Sequence, residues 1–369
     1  MNIILIAGAR PNFMKIAPII DAIKAAQERG EDIDYTLVHT GQHYDAKMSD
    51  EFFVQLGIPE PDINLGAGGG TQAEQTAAIM TGFERYLSDK KADLVLVVGD
   101  VTSTLACSIV AKKLQVRVAH VEGGIRSRDM TMPEEINRIV TDSISDYFFT
   151  TSRTANENLK AEGKRDDQIF FVGNTMIDTL MKNMDRLRKP SLWDEHDLKA
   201  GSYFVMTLHR PSNVDKREQL SAILEAVSTT GLPVVFPVHP RTRKNMEAFG
   251  ITTNGLIMAE PMGYLEFNYL VKHARGVITD SGGITEETTV MGVPCLTLRN
   301  STERPETCTV GTNELLGTDP SAIAPALARI MNGAWKKGQV PELWDGRAAE
   351  RIVEVLVRLG EEINNQISK

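Results

Sequence analysis

Long hydrophobic runs are missing from this sequence: no stretch of its 369 residues is apolar for long enough to cross a bilayer. The start lacks a basic segment and a small-residue cleavage site, so no secretory signal is expected and a reducing cytoplasm is the expected compartment. Cysteine is scarce. Cys107, Cys295 and Cys308 are odd in number and have neither metal nor redox spacing. Cys107 and Cys295 fall in apolar elements and read as core thiols. Positive charge is in deficit, with a formal net charge of −9, which argues against nucleic acid as the main partner. There is no GxxxxGK[ST] phosphate loop and no HExxH zinc motif. The dinucleotide fingerprint GxGxxG is absent after the first strand, where Gly8-Ala9-Arg10-Pro11-Asn12-Phe13-Met14-Lys15 has one glycine and two cations. Gly66-Ala67-Gly68-Gly69-Gly70 departs from that spacing and follows a Pro-rich loop, so it reads as a flexible loop. No short-period repeat and no low-complexity tract is present.

What is there is regular alternation in a chain that is 42% hydrophobic and 24% charged. Apolar β-branched runs at 2–8, 35–39, 94–98, 116–120, 147–150 and 169–172 read as buried strands. Helical patterns at 12–29, 47–56, 72–87 and 103–114, with helix starts at Pro133 and after Ser152, lie between them. The pattern breaks around 189–202 and then resumes, with strands at 203–208, 234–238, 276–279 and 293–298. The last segment, 348–367, has apolar residues at helical spacing. Such alternation implies right-handed crossovers and parallel sheets covered on both faces. The expected architecture is α/β, with two doubly wound Rossmann-like domains at 1–172 and 173–347. The helix within 348–369 is expected to pack back on the first. Ligands of such sheets bind beyond the carboxyl ends of the strands, so an active site in the interdomain cleft is expected.

Polar residues collect after the strands. Asp280-Ser281-Gly282-Gly283 turns a strand into a helix and aims free N–H groups and a helix dipole at one point, as a phosphate requires. The plainer reading of Ser281 is an N-cap. Arg304, one strand further on, offers a guanidinium to the same anion. An acidic protein that binds an anion must gather cations locally, and Arg10, Lys15, Arg126, Arg128, Arg138, His209, Arg210, His239 and Arg241 also lie at or just after strand ends. Three carboxylates stand out. Asp100 follows a buried strand and also fits an N-cap for the next helix. Glu122 precedes two glycines. Glu134, after Pro133, also fits the ordinary pattern of a helix start. Together, three acids at one sheet edge suggest proton transfer. His209 and His239 end successive strands and read as binding groups. His39 and His43 are candidates for the same site.

With these motifs assembled, the chain resembles the non-hydrolysing UDP-N-acetylglucosamine 2-epimerases over essentially its whole length. The resemblance rests on Gly8-Ala9-Arg10-Pro11 with Lys15, Gly41-Gln42-His43, Gly99-Asp100, His120-Val121-Glu122-Gly123-Gly124-Ile125-Arg126, Pro133-Glu134-Glu135-Ile136-Asn137-Arg138, Leu208-His209-Arg210, Asp280-Ser281-Gly282-Gly283 and Thr302-Glu303-Arg304-Pro305-Glu306. It implies a GT-B-like pair of Rossmann-type domains, a homodimer, and interconversion of UDP-GlcNAc and UDP-ManNAc without cofactor or metal, in polysaccharide biosynthesis. It further implies Asp100, Glu122, Glu134 and His209 as the catalytic set. Arg10, Lys15, Arg138, Phe267, Ser281, Gly282, Gly283, Glu287 and Arg304 would hold the nucleotide sugar. The chain departs from many bacterial members at Met262 and Thr285, and from some regulated members at Tyr44-Asp45. A relative acting on UDP-diacetamido-uronic acids shares much of the pattern but lacks the arginine that Arg304 supplies, which favours the simple N-acetyl sugar.

The hydrogen on carbon 2 of such a sugar has no neighbouring ring carbonyl, which disfavours direct deprotonation to a free carbanion. Two routes avoid it: transient oxidation of carbon 3 by a bound NAD, for which the dinucleotide fingerprint is missing, and elimination of UDP to 2-acetamidoglucal followed by re-addition. The second route needs fixed positive charge for the leaving diphosphate and bases for both sugar faces. Alternatives from other classes are a uronic-acid epimerase, a hydrolysing epimerase, a GT-B glycosyltransferase and a non-catalytic nucleotide-sugar sensor.

Overall fold

A computed structural model of the chain describes residues 1–41, 53, 55–252 and 255–367. The helical pattern expected at 47–56 and the residues Gln42, His43, Tyr44 and Asp45 lie wholly or mainly outside them. The chain divides into two compact units, one of Met1–Lys182 with Glu342–Lys369 and one of Asn183–Pro341.

In the first unit, seven parallel strands form one sheet in the order β3-β2-β1-β4-β5-β6-β7. They are β1 Asn2–Ala7, β2 Asp34–His39, β3 Ile63–Asn64, β4 Leu94–Val98, β5 Arg117–Val121, β6 Tyr147–Thr150 and β7 Ile169–Phe171. Side chains alternate across each strand. Ile4, Ile6, Val95 and Val97 therefore pack on one face with Ile79 and Phe83 of the helix Gln72–Ser88 and Ala106 and Val110 of the helix Thr102–Lys113. Ile3, Leu5, Leu94 and Leu96 are buried on the other face. The helix Ala348–Ile367 packs against the helix Arg10–Glu28. Residues 173–182 and 342–347, assigned by sequence pattern to the second domain, belong with this unit. Thr179 Oγ1 donates to Met14 O at 2.5 Å, and the Trp344 indole donates to Thr151 O at 3.0 Å. A side chain at Gly173 would strike the Leu343 carbonyl.

The second unit repeats the topology with six parallel strands in the order β10-β9-β8-β11-β12-β13. These are β8 Phe204–Thr207, β9 Val234–Pro237, β10 Leu256–Ala259, β11 Gly276–Thr279, β12 Cys295–Thr297 and β13 Asn313–Leu315. Phe204, Met206, Phe236 and Ile278 pack with Leu220, Ile223 and Leu327 on one face, while Tyr203, Val205, Val277 and Cys295 pack with Leu270 and Val271 on the other. Both sheets are thus covered on both faces, as the alternation implied. In each, the strand order reverses beside the first strand of its unit, between β1 and β4 in the first and between β8 and β11 in the second.

Candidate active site

In the first unit, the ends of β4 and β5 bring four of the sequence-predicted residues together. Gly99 takes a left-handed φ of +66° and Glu122 one of +71°. A non-glycine residue in that region is uncommon and strained, and here it belongs to a predicted functional residue. Glu122 is 2% exposed, and its Oε2 accepts from Lys15 Nζ at 2.7 Å. Lys15 comes from the helix Arg10–Glu28 and lies so close to Gly99 that a Cβ there would sit 3.1 Å from Nζ. Asp100 is partly exposed, and its Oδ2 accepts from Arg138 Nη2. Arg138 is itself buried and donates from Nη1 to Glu135 Oε2 at 2.6 Å. Burial opposes the charge of Glu135, yet the Ser127 and Arg128 amides and the Arg138 guanidinium hold its carboxyl below the usual carboxylate range. Asp100 caps no helix: the N-cap of Thr102–Lys113 is Val101, with no side-chain cap. Glu134 is exposed in the first turn of the helix Pro133–Ile144, one residue before buried Glu135. Arg10 is exposed at the first position of its helix.

Other predicted cations are not available to a ligand in this arrangement. Arg126 donates from Nη1 to Asp142 Oδ2 at 2.7 Å and from Nη2 to Glu162 Oε2 at 2.6 Å, with its own side chain buried. His39 is likewise a packing residue. It is buried, its ring stacks on Phe13 with centroids 5.1 Å apart, and Nδ1 accepts from Gly41 N at 2.8 Å. Burial lowers its pKa, which favours the neutral ring.

In the second unit, the helix Gly282–Met291 begins as the sequence implied, with Ser281 as N-cap. Ser281 makes no side-chain cap hydrogen bond and the first turn has no acidic residue, so the helix start keeps its dipole uncompensated by either device. Arg304 also contacts this helix. Its Nε donates to Glu286 Oε1, and both side chains are buried. Beside the helix start lies a pair that sequence reading overlooked: Arg299 Nη2 to Glu303 Oε2 at 2.8 Å. A Cβ on Gly282 would be 2.7 Å from Glu303 Oε1. Glu287 is buried, accepts from Asn268 Nδ2 at 3.4 Å, and burial pushes its carboxyl up to about 7. Phe267 packs half-buried with Leu270 and Val271. His209 follows β8, and its Nδ1 faces Asp280 Oδ1 at 2.7 Å. His239 is exposed, lies with its ring centroid 6.0 Å from that of His209, and accepts from Arg241 N at 3.2 Å as the N-cap of the helix Pro240–Phe249. Among the described residues, no group of three or more His, Cys, Asp or Glu side chains is placed to hold a metal ion.

A family model described as UDP-N-acetylglucosamine 2-epimerase matches residues 24–357. The chain belongs to the UDP-N-acetylglucosamine 2-epimerase family. It is 39% identical to a UDP-N-acetylglucosamine 2-epimerase of Methanocaldococcus jannaschii, over 96% of this chain and 99% of that one. It is 40% identical to a UDP-2,3-diacetamido-2,3-dideoxy-D-glucuronate 2-epimerase of Pseudomonas aeruginosa, over 97% of this chain and 100% of that one. A crystal structure of the M. jannaschii enzyme in complex with UDP-GlcNAc and UDP aligns with a TM-score of 0.85, at 39% identity, over 97% of this chain and 100% of that one. The two parallel-sheet units are those of a GT-B-like epimerase of this family.

The family motifs acquire separate tasks in the structure. In Pro133-Glu134-Glu135, one carboxylate faces solvent and the next anchors Arg138. Asn12 is buried, accepts from the Gly8 and Ala9 amides and donates to Val98 O at 3.1 Å, which fixes the turn that carries Arg10 and Lys15. Asp280 positions His209. The bonds of Asn12 to Val98 and of Asp280 to His209 join residues distant in sequence, so no local pattern signals them.

Proposed function

We propose that this protein interconverts UDP-N-acetylglucosamine and UDP-N-acetylmannosamine. The observation that carries this reading is the pair of strand ends in which Asp100 and Glu122 are paired with Arg138 and Lys15. In the elimination, the carbon 2 proton passes to a carboxylate, the carbon 1–oxygen bond breaks, and UDP leaves with its electron pair. The product is 2-acetamidoglucal. In the return, a proton is delivered to the opposite face of carbon 2 and the UDP oxygen re-forms its bond to carbon 1. The Ser281-Gly282-Gly283 turn supports the leaving diphosphate through its N–H groups and dipole, with Arg10 and Arg304 as its cations. Glu134, exposed in the first turn of its helix, is assigned as a base. His209, with Nδ1 committed to Asp280, presents Nε2. The enzyme acts in the cytoplasm as a homodimer in this reading.

Incubation of the purified protein with UDP-GlcNAc, followed by proton NMR, tests the proposal: UDP-ManNAc should appear and free ManNAc should not. The Pseudomonas relative supports a second reading, epimerisation of a UDP-diacetamido-uronic acid. Turnover of that substrate alone would select it.

A further inference from the structure

His120 sits next to the carboxyl end of β5 with no exposure to solvent. Its Nδ1 lies 2.6 Å from Asp142 Oδ1 and its Nε2 lies 2.7 Å from Gly99 O. A backbone carbonyl only accepts. An ionised carboxylate only accepts too, and Asp142 is ionised: its Oδ2 takes hydrogen bonds from Gly124 N at 2.9 Å and Arg126 Nη1 at 2.7 Å. Burial works against that charge, but His120 and Arg126 outweigh it and keep the carboxyl below its usual range. Two acceptors on one imidazole require two N–H donors, and only the imidazolium has both.

The carbonyl held by His120 is one of three in succession at the end of β4. Val98 O accepts from Asn12 Nδ2 at 3.1 Å and from Thr104 Oγ1 at 2.9 Å. Gly99 O accepts from His120. Asp100 O accepts from Asn137 Nδ2 at 2.8 Å. Gly99 is the left-handed residue of that run, and a left-handed glycine has little intrinsic preference to stay where it is. Its carbonyl direction decides where Asp100 emerges.

We propose that His120 is an imidazolium strut, a positioning residue that fixes the Gly99 carbonyl and so places Asp100 for proton transfer, with Asp142, Arg126 and Glu162 as its counter-charge chain. The inference rests on the epimerase reading for the transfer itself. It also gives the chain Glu162–Arg126–Asp142–His120, buried except at Glu162, a purpose beyond packing: it delivers a fixed cation behind the Gly99 carbonyl. A neutral ring would leave one acceptor unpaired in a dry interior, an expensive state for a polar group.

Nitrogen NMR of the protein with ¹⁵N-labelled histidine, assigned with His120→Gln and Asp142→Asn, tests the strut without substrate. At pH 7.5 both His120 ring nitrogens should have protonated-type shifts, each with its own proton. One unprotonated ring nitrogen would overturn the proposal. Glutamine offers the donor of one nitrogen but not both. His120→Gln should therefore lower kcat on UDP-GlcNAc about 100-fold, the scale of a misplaced reacting group, with KM and the UDP dissociation constant unchanged. A folded variant with wild-type kcat, or one in which only thermal stability falls, would equally overturn it. If His120→Gln does not fold, the wild-type nitrogen spectrum decides alone. If the wild-type protein does not epimerise UDP-GlcNAc, the proposed function fails, and the spectrum still judges the strut.

Discussion

The Nδ1 atom of His209 lies 2.7 Å from Oδ1 of Asp280, a carboxylate wholly shielded from solvent. The same carboxylate accepts from the backbone N–H groups of His209 and Arg210 and from Asn213 Nδ2. Asp280 therefore sets both the place of the His209 backbone and the tautomer of its ring, as an orienting carboxylate does beside a catalytic imidazole.

Asp280→Asn should impair both function and stability. The amide can donate to Nδ1, which reverses the tautomer, and turnover should fall about 100-fold if Nε2 exchanges a proton or hydrogen-bonds the sugar. Loss of charge-assisted bonds to two amides should cost about 1.5–3 kcal/mol. Burial opposes the Asp280 charge, yet His209, Arg210 and Asn213 depress its pKa. A depressed carboxyl stabilises the fold above the usual carboxylate range, and that contribution is lost as pH falls through the folded value. Urea titrations carried from pH 7 down through the usual carboxylate range and below it should show a shallower acid loss in the variant. A matching slope would remove Asp280 from the acid limb.

Glu134→Gln keeps the shape of an exposed helix residue but removes a base. Turnover in D2O by the native enzyme should place deuterium at carbon 2 of the product and none at carbon 3. The variant should lose that exchange by a factor of about 10²–10⁴ while UDP binding by calorimetry stays intact. Native product with full protium at carbon 2 would rule out proton transfer through solvent-exchanging carboxylates.

Lys15 and Glu122 form a pair with side-chain exposures of 13% and 2%. Lys15→Met removes the cation paired with the buried Glu122 carboxylate and should destabilise the protein by about 3–5 kcal/mol. Glu122→Gln on the same background should recover much of that loss in a double-mutant cycle. Additive losses would mean that the pair is not coupled.

Glu306 is buried, and neither carboxyl oxygen has a hydrogen-bond partner among the described residues. Burial raises its pKa to about 7; the nearby Arg304 opposes the rise, and Glu286 and Glu303 add to it. The folded state then holds the proton more tightly than the unfolded chain. Stability from this group is full below the unfolded carboxyl value and declines as pH rises towards about 7, levelling above it. Glu306→Gln should flatten that decline and be relatively more stable at pH 8 than at pH 4, by about 3 kcal/mol at most. Equal pH profiles in urea would show that Glu306 titrates as it does in the unfolded chain.

Strand–helix alternation was legible because its signals are local. A buried parallel strand such as Leu94–Val98 is a continuous apolar run, and glycine with an acid or a histidine at its end marks the exit from the sheet. On that basis the sequence reached β1, β4, β6, β11 and the helix Gly282–Met291 within about two residues. It missed β3, β10 and β13, which lie at sheet edges. β3 has two residues and β13 has three, too few for a period to register.

The polar partners were decided elsewhere. Sequence alone placed Asp100, Glu122, His209 and Ser281 after strands, and the resemblance of its motifs named the family. That Arg304 bonds Glu286, that Arg126 serves Asp142, and that His120 grips Gly99 follow from strand register and helix packing between residues 16 to 21 positions apart. For His209 and Asp280 the separation is 71, spanned by the β8–β11 pairing of Thr207 with Thr279. A charged side chain commits to whichever opposite group the fold brings within about 3 Å, and composition, periodicity and spacing carry no record of that distance.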